Sequence, residues 1–126
     1  MKLRFSWNRV GALEIPVCEE IDTEPGALSP LSCLLMDDGG QGLDASSKYL
    51  DLGVQRVDQV LAGALSESSW DRDAWGARLS RSEVEICSLF DDDCSERVLL
   101  VSFRQALVEW GRFVKSSCRA PMDVVV

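Results

Sequence analysis

The sequence predicts an α+β fold, in which an antiparallel sheet of about four or five strands carries two helices packed on one face. Alternation of apolar and polar residues predicts strands near the amino terminus and again between residues 75 and 90. Apolar residues spaced by three and four predict two helices, one starting near residue 44 and one near residue 102. The 126 residues contain no internal repeat or linker, so we expect a single domain over residues 1–126.

The first two strands are predicted within residues 2–18. In residues 2–7 every second side chain is apolar, namely Leu3, Phe5 and Trp7, which is typical of a strand with one buried face. Residues 8–11 indicate a turn. Residues 12–18 form the second predicted strand, which we expect to end near Pro16.

The composition of the chain changes in the segment before the first predicted helix. Residues 19–42 contain prolines, glycines and acidic runs, which predicts mostly loop with a short buried strand at Leu31–Met36. Side-chain oxygens in residues 44–47 suit a helix N-cap. The apolar face that follows extends to about residue 65 and consists of Leu50, Val54, Val57, Leu61, Ala64 and Leu65. Because Gly53 and Gly63 each weaken a helix interior by up to ~1 kcal/mol, this helix needs the sheet for its stability.

A hairpin and a short strand follow. Residues 75–79 and 83–90 alternate on either side of a polar turn at residues 80–82. The face that we expect to be buried carries Trp75, Ala77, Leu79, Val84, Ile86 and Phe90. Residues 97–101 form a further candidate strand.

The last helix has the clearest pattern in the chain. Ser102 and Gln105 fit a capping box, in which each side chain bonds to the other residue's backbone amide. One face of this helix then carries Phe103, Leu107, Trp110 and Val114. The tail from Ser116 to Val126 ends in three valines and either pairs as an edge strand or frays.

Charge and composition exclude several functional classes. The chain has 13 basic and 21 acidic residues, a net charge of −8 and a pI near 4.5, which argues against direct binding to nucleic acid or to an anionic membrane. It contains no histidine, so a Ser-His-Asp triad, a Cys-His pair and a histidine-ligated metal are impossible within it. We expect no catalytic residue, no metal and no cofactor, and hence a protein that is not an enzyme.

The cysteines indicate a reducing compartment. Five cysteines occur without any Cys-x-x-Cys spacing, and this odd number makes a poor disulfide framework. No apolar run reaches the length of a signal peptide or of a membrane span. We therefore expect reduced thiols and a cytoplasmic protein.

Acidic loops are the candidate partner-binding surface. The first set follows the hairpin and consists of Asp91, Asp92, Asp93 and Glu96; its spacing does not fit a calcium-binding EF-hand. The second set lies in the loop-rich segment and consists of Glu19, Glu20, Asp22, Asp37 and Asp38. These carboxylates either meet a basic partner or simply keep the loops solvated. Trp70 lies outside the periodic pattern, which makes it a candidate interface anchor.

The order of elements over residues 70–114 resembles that of a known family. A polar stretch with a tryptophan leads into a strand pair, an acidic tip and a helix carrying Phe103, Leu107, Trp110 and Phe113. This order is similar to small bacterial immunity proteins of contact-dependent growth inhibition systems, whose chains often end in a β-hairpin and a helix of the form Phe-x-x-x-Leu-x-x-Trp-x-x-Phe. The resemblance covers roughly 45 of 126 residues. These are scaffold positions, so it transfers no site residue.

The resemblance implies a protein that binds a cognate toxin domain as a heterodimer and neutralises it. Many such toxins are nucleases with basic surfaces, and long-range attraction steers an acidic inhibitor to such a surface. Two other classes stay open. One is a small histidine-free enzyme using carboxylate or thiol chemistry, which would be marked by two close carboxylates of perturbed pKa in a cleft. The other is an adaptor or structural subunit that extends a partner's sheet with residues 124–126.

Overall fold

The computed structural model describes residues 1–22, 29–91 and 93–126. Within these residues, strands and helices follow in the order β1 (Lys2–Val10), β2 (Leu13–Glu20), α1 (Pro30–Met36), α2 (Leu43–Leu61), β3 (Glu67–Asp71), β4 (Trp75–Ser80), β5 (Glu83–Ser88), β6 (Ser95–Leu99), α3 (Leu100–Lys115) and β7 (Met122–Val125). The strands form a three-stranded sheet of order β2-β1-β7 and a four-stranded sheet of order β3-β4-β5-β6. Every strand pair is antiparallel.

The α+β class is confirmed, but the expected single sheet with two helices is wrong. Strand β1 pairs with β2 on one side and with the tail strand β7 on the other, placing Phe5 opposite both Cys18 and Met122. The alternation of Leu3 and Phe5 correctly predicts which face of β1 is buried. Alternation alone cannot predict which distant strand will be the neighbour, because the same buried face suits either sheet.

The first hairpin is longer than predicted. Gly11 makes the turn with a φ of 61°, a left-handed conformation that glycine adopts without strain. Strand β2 continues past Pro16, which lies opposite Trp7. Proline is tolerated there because β2 is at the edge of its sheet, where a missing amide need not interrupt a ladder. Of the two outcomes expected for the tail, pairing as an edge strand is the one observed.

Helix α1 replaces the short strand expected at Leu31–Met36. Ser29 is its N-cap, with Oγ accepting a hydrogen bond from the amide of Ser32 at 3.2 Å, and Pro30 occupies the first turn. The buried leucines of this helix are Leu31, Leu34 and Leu35, which have helical spacing. A short apolar run between turn residues is compatible with a helix or a strand, so its pattern alone does not distinguish the two.

Strand β3 was not predicted, and it corrects the expectation for Trp70. Only 1% of this side chain is exposed. Its ring stacks on Tyr49 at 5.3 Å and meets Phe103 edge-on at 6.4 Å. Trp70 lies opposite Ala77 of β4 and belongs to the core, so it cannot serve as an interface anchor.

The two longer helices differ from prediction at their ends. Helix α2 stops at Leu61, about a turn before residue 65, and Gly63 follows with a φ of 79°. Helix α3 begins at Leu100, so the capping box expected at Ser102 and Gln105 is wrong. Strand β6 passes directly into α3, where the buried Leu100 donates its amide to the carbonyl of Ser82 at 3.0 Å.

Helix α3 joins the two sheets. Trp110 and Phe113 pack against Phe5 of β1, with ring centroids at 5.1 and 5.4 Å. On the other side Phe103 meets Trp70 of β3. Helix α1 contacts β2 of one sheet and β4, β5 and β6 of the other, so the core lies between both sheets. None of the helices in the described part of the chain has the length and apolarity needed to cross a membrane.

Candidate functional site

Three loops meet at one end of the four-stranded sheet. They connect α1 to α2 (residues 37–42), β3 to β4 (residues 72–74) and β5 to β6 (residues 89–94). Asp37 Oδ2 accepts a hydrogen bond from the amide of Ala74 at 2.7 Å, and the amide of Leu89 donates to the carbonyl of Ala74 at 2.9 Å. These neighbouring loops carry the carboxylates that we call the acidic end, namely Asp37, Asp38, Asp73, Asp91 and Asp93. Asp92 lies outside the described residues.

The acidic end combines several carboxylates that lack ion pairs. Many carboxylates elsewhere are neutralised, as at Arg4–Asp123, Arg78–Asp71, Arg97–Glu83, Arg97–Glu85, Arg104–Asp58, Arg112–Glu109 and Arg119–Glu14. Among the described residues, no basic side chain lies within ion-pair distance of the five carboxylates of the acidic end. The five carboxylates outnumber the one nearby cation of the described chain, Arg72, which interacts electrostatically with Asp37 and Asp38, so this end carries an excess of negative charge.

Phe90 lies in the same loop as Asp91 and Asp93 and is 83% exposed. The expectation that it continues the buried face of the hairpin is wrong. Strand β5 ends at Ser88, whose Oγ accepts a hydrogen bond from the amide of Phe90 at 3.2 Å, and this turn directs the chain away from the core. The three aspartates that follow Phe90 favour a turn, so the sequence did contain a signal that the strand ends before Phe90. An exposed phenylalanine beside carboxylates is suited to anchor a protein interface.

Asp37 also holds the acidic end together. Its Oδ2 accepts hydrogen bonds from the amides of Ala74 and Trp75 at 2.7 and 3.2 Å, and its Oδ1 accepts from Gly39 at 3.3 Å. By contrast, the side chain of Asp38 accepts the amide of Gly40, two residues further along the same loop, at 2.8 Å. Asp37 therefore fixes one loop against another, whereas Asp38 shapes only its own loop.

Asp37→Ala is expected to destabilise the fold by roughly 1.5 kcal/mol, because it leaves partly buried amides without their charged acceptor. Asp38→Ala makes the same chemical change next to it and should cost less than about 0.5 kcal/mol. Urea unfolding of both variants would measure the difference. Equal losses of stability would show that the contacts between the loops contribute nothing beyond the local turn.

The remaining predicted carboxylates lie at the opposite end of α1. Ser29 donates its hydroxyl to Glu20 Oε2 at 2.8 Å, and Glu96 Oε1 accepts from the amide of Leu31 at 3.1 Å. Asp22 accepts from the amide of Lys2 at 3.1 Å, and Glu19 lies opposite Arg4 in the sheet. Since α1 has seven residues, a helix about 10 Å long separates this group from the acidic end.

Glu96 is a correction to the prediction of a solvated partner-binding carboxylate. Its side chain is half-buried beside Glu20, at the junction of β2, β6 and α1. Burial raises the pKa of Glu96 to about 7; the amide of Leu31 opposes this rise, and Glu20 and Asp22 add to it. Glu96 is only three residues from Asp93 in the sequence, but its place in β6 turns it inward, so it belongs to the packing of α1.

The five cysteines, all within the described residues, are free thiols. Burial raises the pKa of Cys18 to about 12 and also raises that of Cys33, which keeps both protonated at neutral pH. Over residues 1–22, 29–91 and 93–126, no group of three cysteine or acidic side chains is placed to hold a metal ion.

Comparison of the chain with protein-family models, with curated proteins and with solved structures finds no match.

Proposed function

We propose that this protein is an immunity protein, which binds a cognate bacterial toxin domain in the cytoplasm and neutralises it through the acidic end. The observation that carries the proposal is the combination at this end of an 83% exposed phenylalanine with five carboxylates that have no ion-pair partner in the described part of the chain. The similarity of residues 70–114 to contact-dependent inhibition immunity proteins supports the same class.

The chemistry of the acidic end defines the partner. Carboxylates attract a basic surface over long range, which raises the association rate, while a buried aromatic side chain at the interface slows dissociation. A nuclease offers such a surface, because it must hold phosphate groups. In the proposed heterodimer, Asp91 and Asp93 occupy positions where phosphates of the nucleic acid would bind, and Phe90 packs into the toxin.

The test is neutralisation of the toxin domain encoded directly upstream of the gene for this protein. Co-expression should restore growth of a bacterial host, and the two proteins should co-purify as a 1:1 complex. Replacing Asp91 and Asp93 by lysine should weaken the complex by about a hundredfold at low salt, and the loss should shrink as salt screens the charges. Phe90→Ala should weaken it by about tenfold at every salt concentration, since apolar contact is not screened.

A matched control distinguishes a specific surface from an effect of net charge. Replacing Glu83 and Glu85 by lysine changes the charge by the same amount, but at carboxylates that pair with Arg97 on the four-stranded sheet. This control should bind within about threefold of the original protein. An equal loss in both double variants would reject the acidic end as the interface. Absence of rescue from a toxin shown to be active would reject the immunity function.

The two alternative classes are less well supported. The pair of Glu20 and Glu96, with the raised pKa of Glu96, is the observation that favours a carboxylate enzyme. However, Ser29 and the amide of Leu31 bind these two side chains at the start of α1, which accounts for the pair as part of the packing. For the adaptor alternative, the valine tail already pairs with β1 of the same chain.

A further inference from the structure

A cavity of about 280 Å³ opens beside the acidic end, between the turn after β3 and the start of α2. Its lining includes Asp38, Gln41, Ser46, Tyr49, Arg72 and Asp73. This volume is slightly below the range of roughly 300–1,000 Å³ that is usual for drug-sized ligands. The cavity is open to solvent on one side, and its volume is sufficient for a molecule of about the size of an amino acid.

Arg72 is held at this cavity by aromatic and polar contacts. Its guanidinium carbon lies 5.3 Å from the ring centroids of both Tyr49 and Trp70, and Nη2 donates to Ser46 Oγ at 2.9 Å. Burial lowers the pKa of Arg72, while Asp37 opposes that shift, and a guanidinium stays charged in either case. Arg72 thus places a fixed positive charge in a strongly negative region.

The other guanidinium nitrogen lacks an acceptor. Nη1 of Arg72 is buried and has no hydrogen-bond partner among the described residues, a situation that folded proteins rarely tolerate. Nη2 supplies the side-chain hydrogen bond to Ser46 that orients the group. An acceptor that reaches this side of the guanidinium would complete its hydrogen bonding.

The first turn of α2 borders the same cavity, although the amide of Ser46 already donates to the carbonyl of Gly42. Gly42 at the N-cap has no side chain to accept from the first amides, and no side-chain cap is seen within the described residues. Ala45 and Ser46 of this first turn line the cavity. The positive end of the helix dipole and the guanidinium thus both favour an anionic group here.

Three carboxylates line the cavity, those of Asp38, Asp71 and Asp73. Asp71 pairs with Arg78, whereas Asp38 and Asp73 have no ion-pair partner in the part of the chain that the structure describes. They would repel a simple anion, and Arg72 would repel a simple cation. A ligand that carries both charges at a short separation satisfies both sets of groups.

We propose that this cavity binds a small zwitterion, a free α-amino acid, at the edge of the surface proposed for toxin binding. The carboxylate of the ligand binds Arg72 and the first turn of α2, and its ammonium group binds Asp38 and Asp73. Ser46 orients Arg72 for this contact. The volume of the cavity is sufficient for a single amino acid.

The test is a titration of the ¹⁵N-labelled protein with each of the common amino acids, followed by NMR. At least one amino acid should cause saturable shifts of the Ser46 and Arg72 amides, whereas acetate and methylamine should bind at least about tenfold more weakly. Arg72→Lys should weaken amino acid binding by about tenfold or more, because lysine lacks the planar fork. Arg104→Lys is the matched control, since Arg104 pairs with Asp58 outside the cavity lining, and should leave the affinity unchanged.

Asp73→Asn tests the ammonium contact at an exposed side chain, where the fold does not depend on the change. It should weaken amino acid binding by about tenfold and leave acetate binding unchanged or improved. The proposal is overturned if no amino acid produces saturable shifts, if acetate binds as tightly as the amino acids, or if Asp73→Asn binds them like the original protein. The binding measurement on Asp73→Asn tests the proposal even if Arg72→Lys fails to fold.

Discussion

Gly53→Ala is expected to destabilise the protein by about 2–3 kcal/mol, although alanine favours a helix more than glycine does. Gly53 lies inside α2, where a Cβ would stand 2.9–3.1 Å from three carbon atoms of the Trp70 indole. Tyr49 and Phe103 pack against this indole, so it cannot move aside easily. The added methyl group would push α2 away from β3, and the cost exceeds the ~1 kcal/mol gained in helix propensity.

Gly111→Ala provides the matched control for this prediction. Gly111 is also a buried glycine inside a helix, but a Cβ there would meet only Leu50 Cδ1, at an ordinary contact distance of 3.9 Å. This change should therefore stabilise the protein by up to ~1 kcal/mol. Urea unfolding of both variants gives the comparison. A stabilising Gly53→Ala would mean that Trp70 does not lie against the backbone of α2.

The fold could be predicted best where a strict period governs the side chains. Leu3 and Phe5 of β1, and Phe103 and Leu107 of α3, are buried as their spacing predicts. The pattern of apolar residues gave a wrong or missing prediction where the apolar run was short or contained only one large apolar residue. Four or five apolar residues could not distinguish helix from strand in α1, and one tryptophan among serines could not predict β3.

The candidate site was predictable only in part. Asp91 and Asp93 are exposed as expected, since acidic residues after a strand favour a solvated turn. The contact of their loop with the β3–β4 turn, and of that turn with Asp37, joins three separate loops, which no local pattern specifies. Glu96 is in the same acidic segment of the sequence as these aspartates but lies in a strand that faces α1. The burial of Glu96, and therefore its raised pKa, depends on contacts between distant parts of the chain.

Glu96 should make the protein less stable as the pH rises, and Glu96→Gln should remove this effect. The pKa of Glu96 is about 7 in the folded protein and 4.5 as its ordinary value. The folded state therefore binds more protons than the unfolded state between these values, and stability falls with rising pH in that interval. At about 1.4 kcal/mol per pH unit the full effect is roughly 3 kcal/mol, which partial exposure reduces to about 2 kcal/mol.

Glutamine has the same shape without the charge, can accept from Leu31 and can donate to Glu20. At pH 8, Glu96→Gln should therefore be about 2 kcal/mol more stable than the original protein, whereas below pH 4.5 the two should be similar. Glu19→Gln makes the same change at an exposed strand residue and should change stability by less than about 0.5 kcal/mol at either pH. Urea unfolding between pH 4 and 8 measures all three proteins. If the original protein and Glu96→Gln keep a constant difference across this range, the Glu96 carboxyl has an ordinary pKa. Its carboxylate would then have to be solvated, and α1 could not pack over it as described.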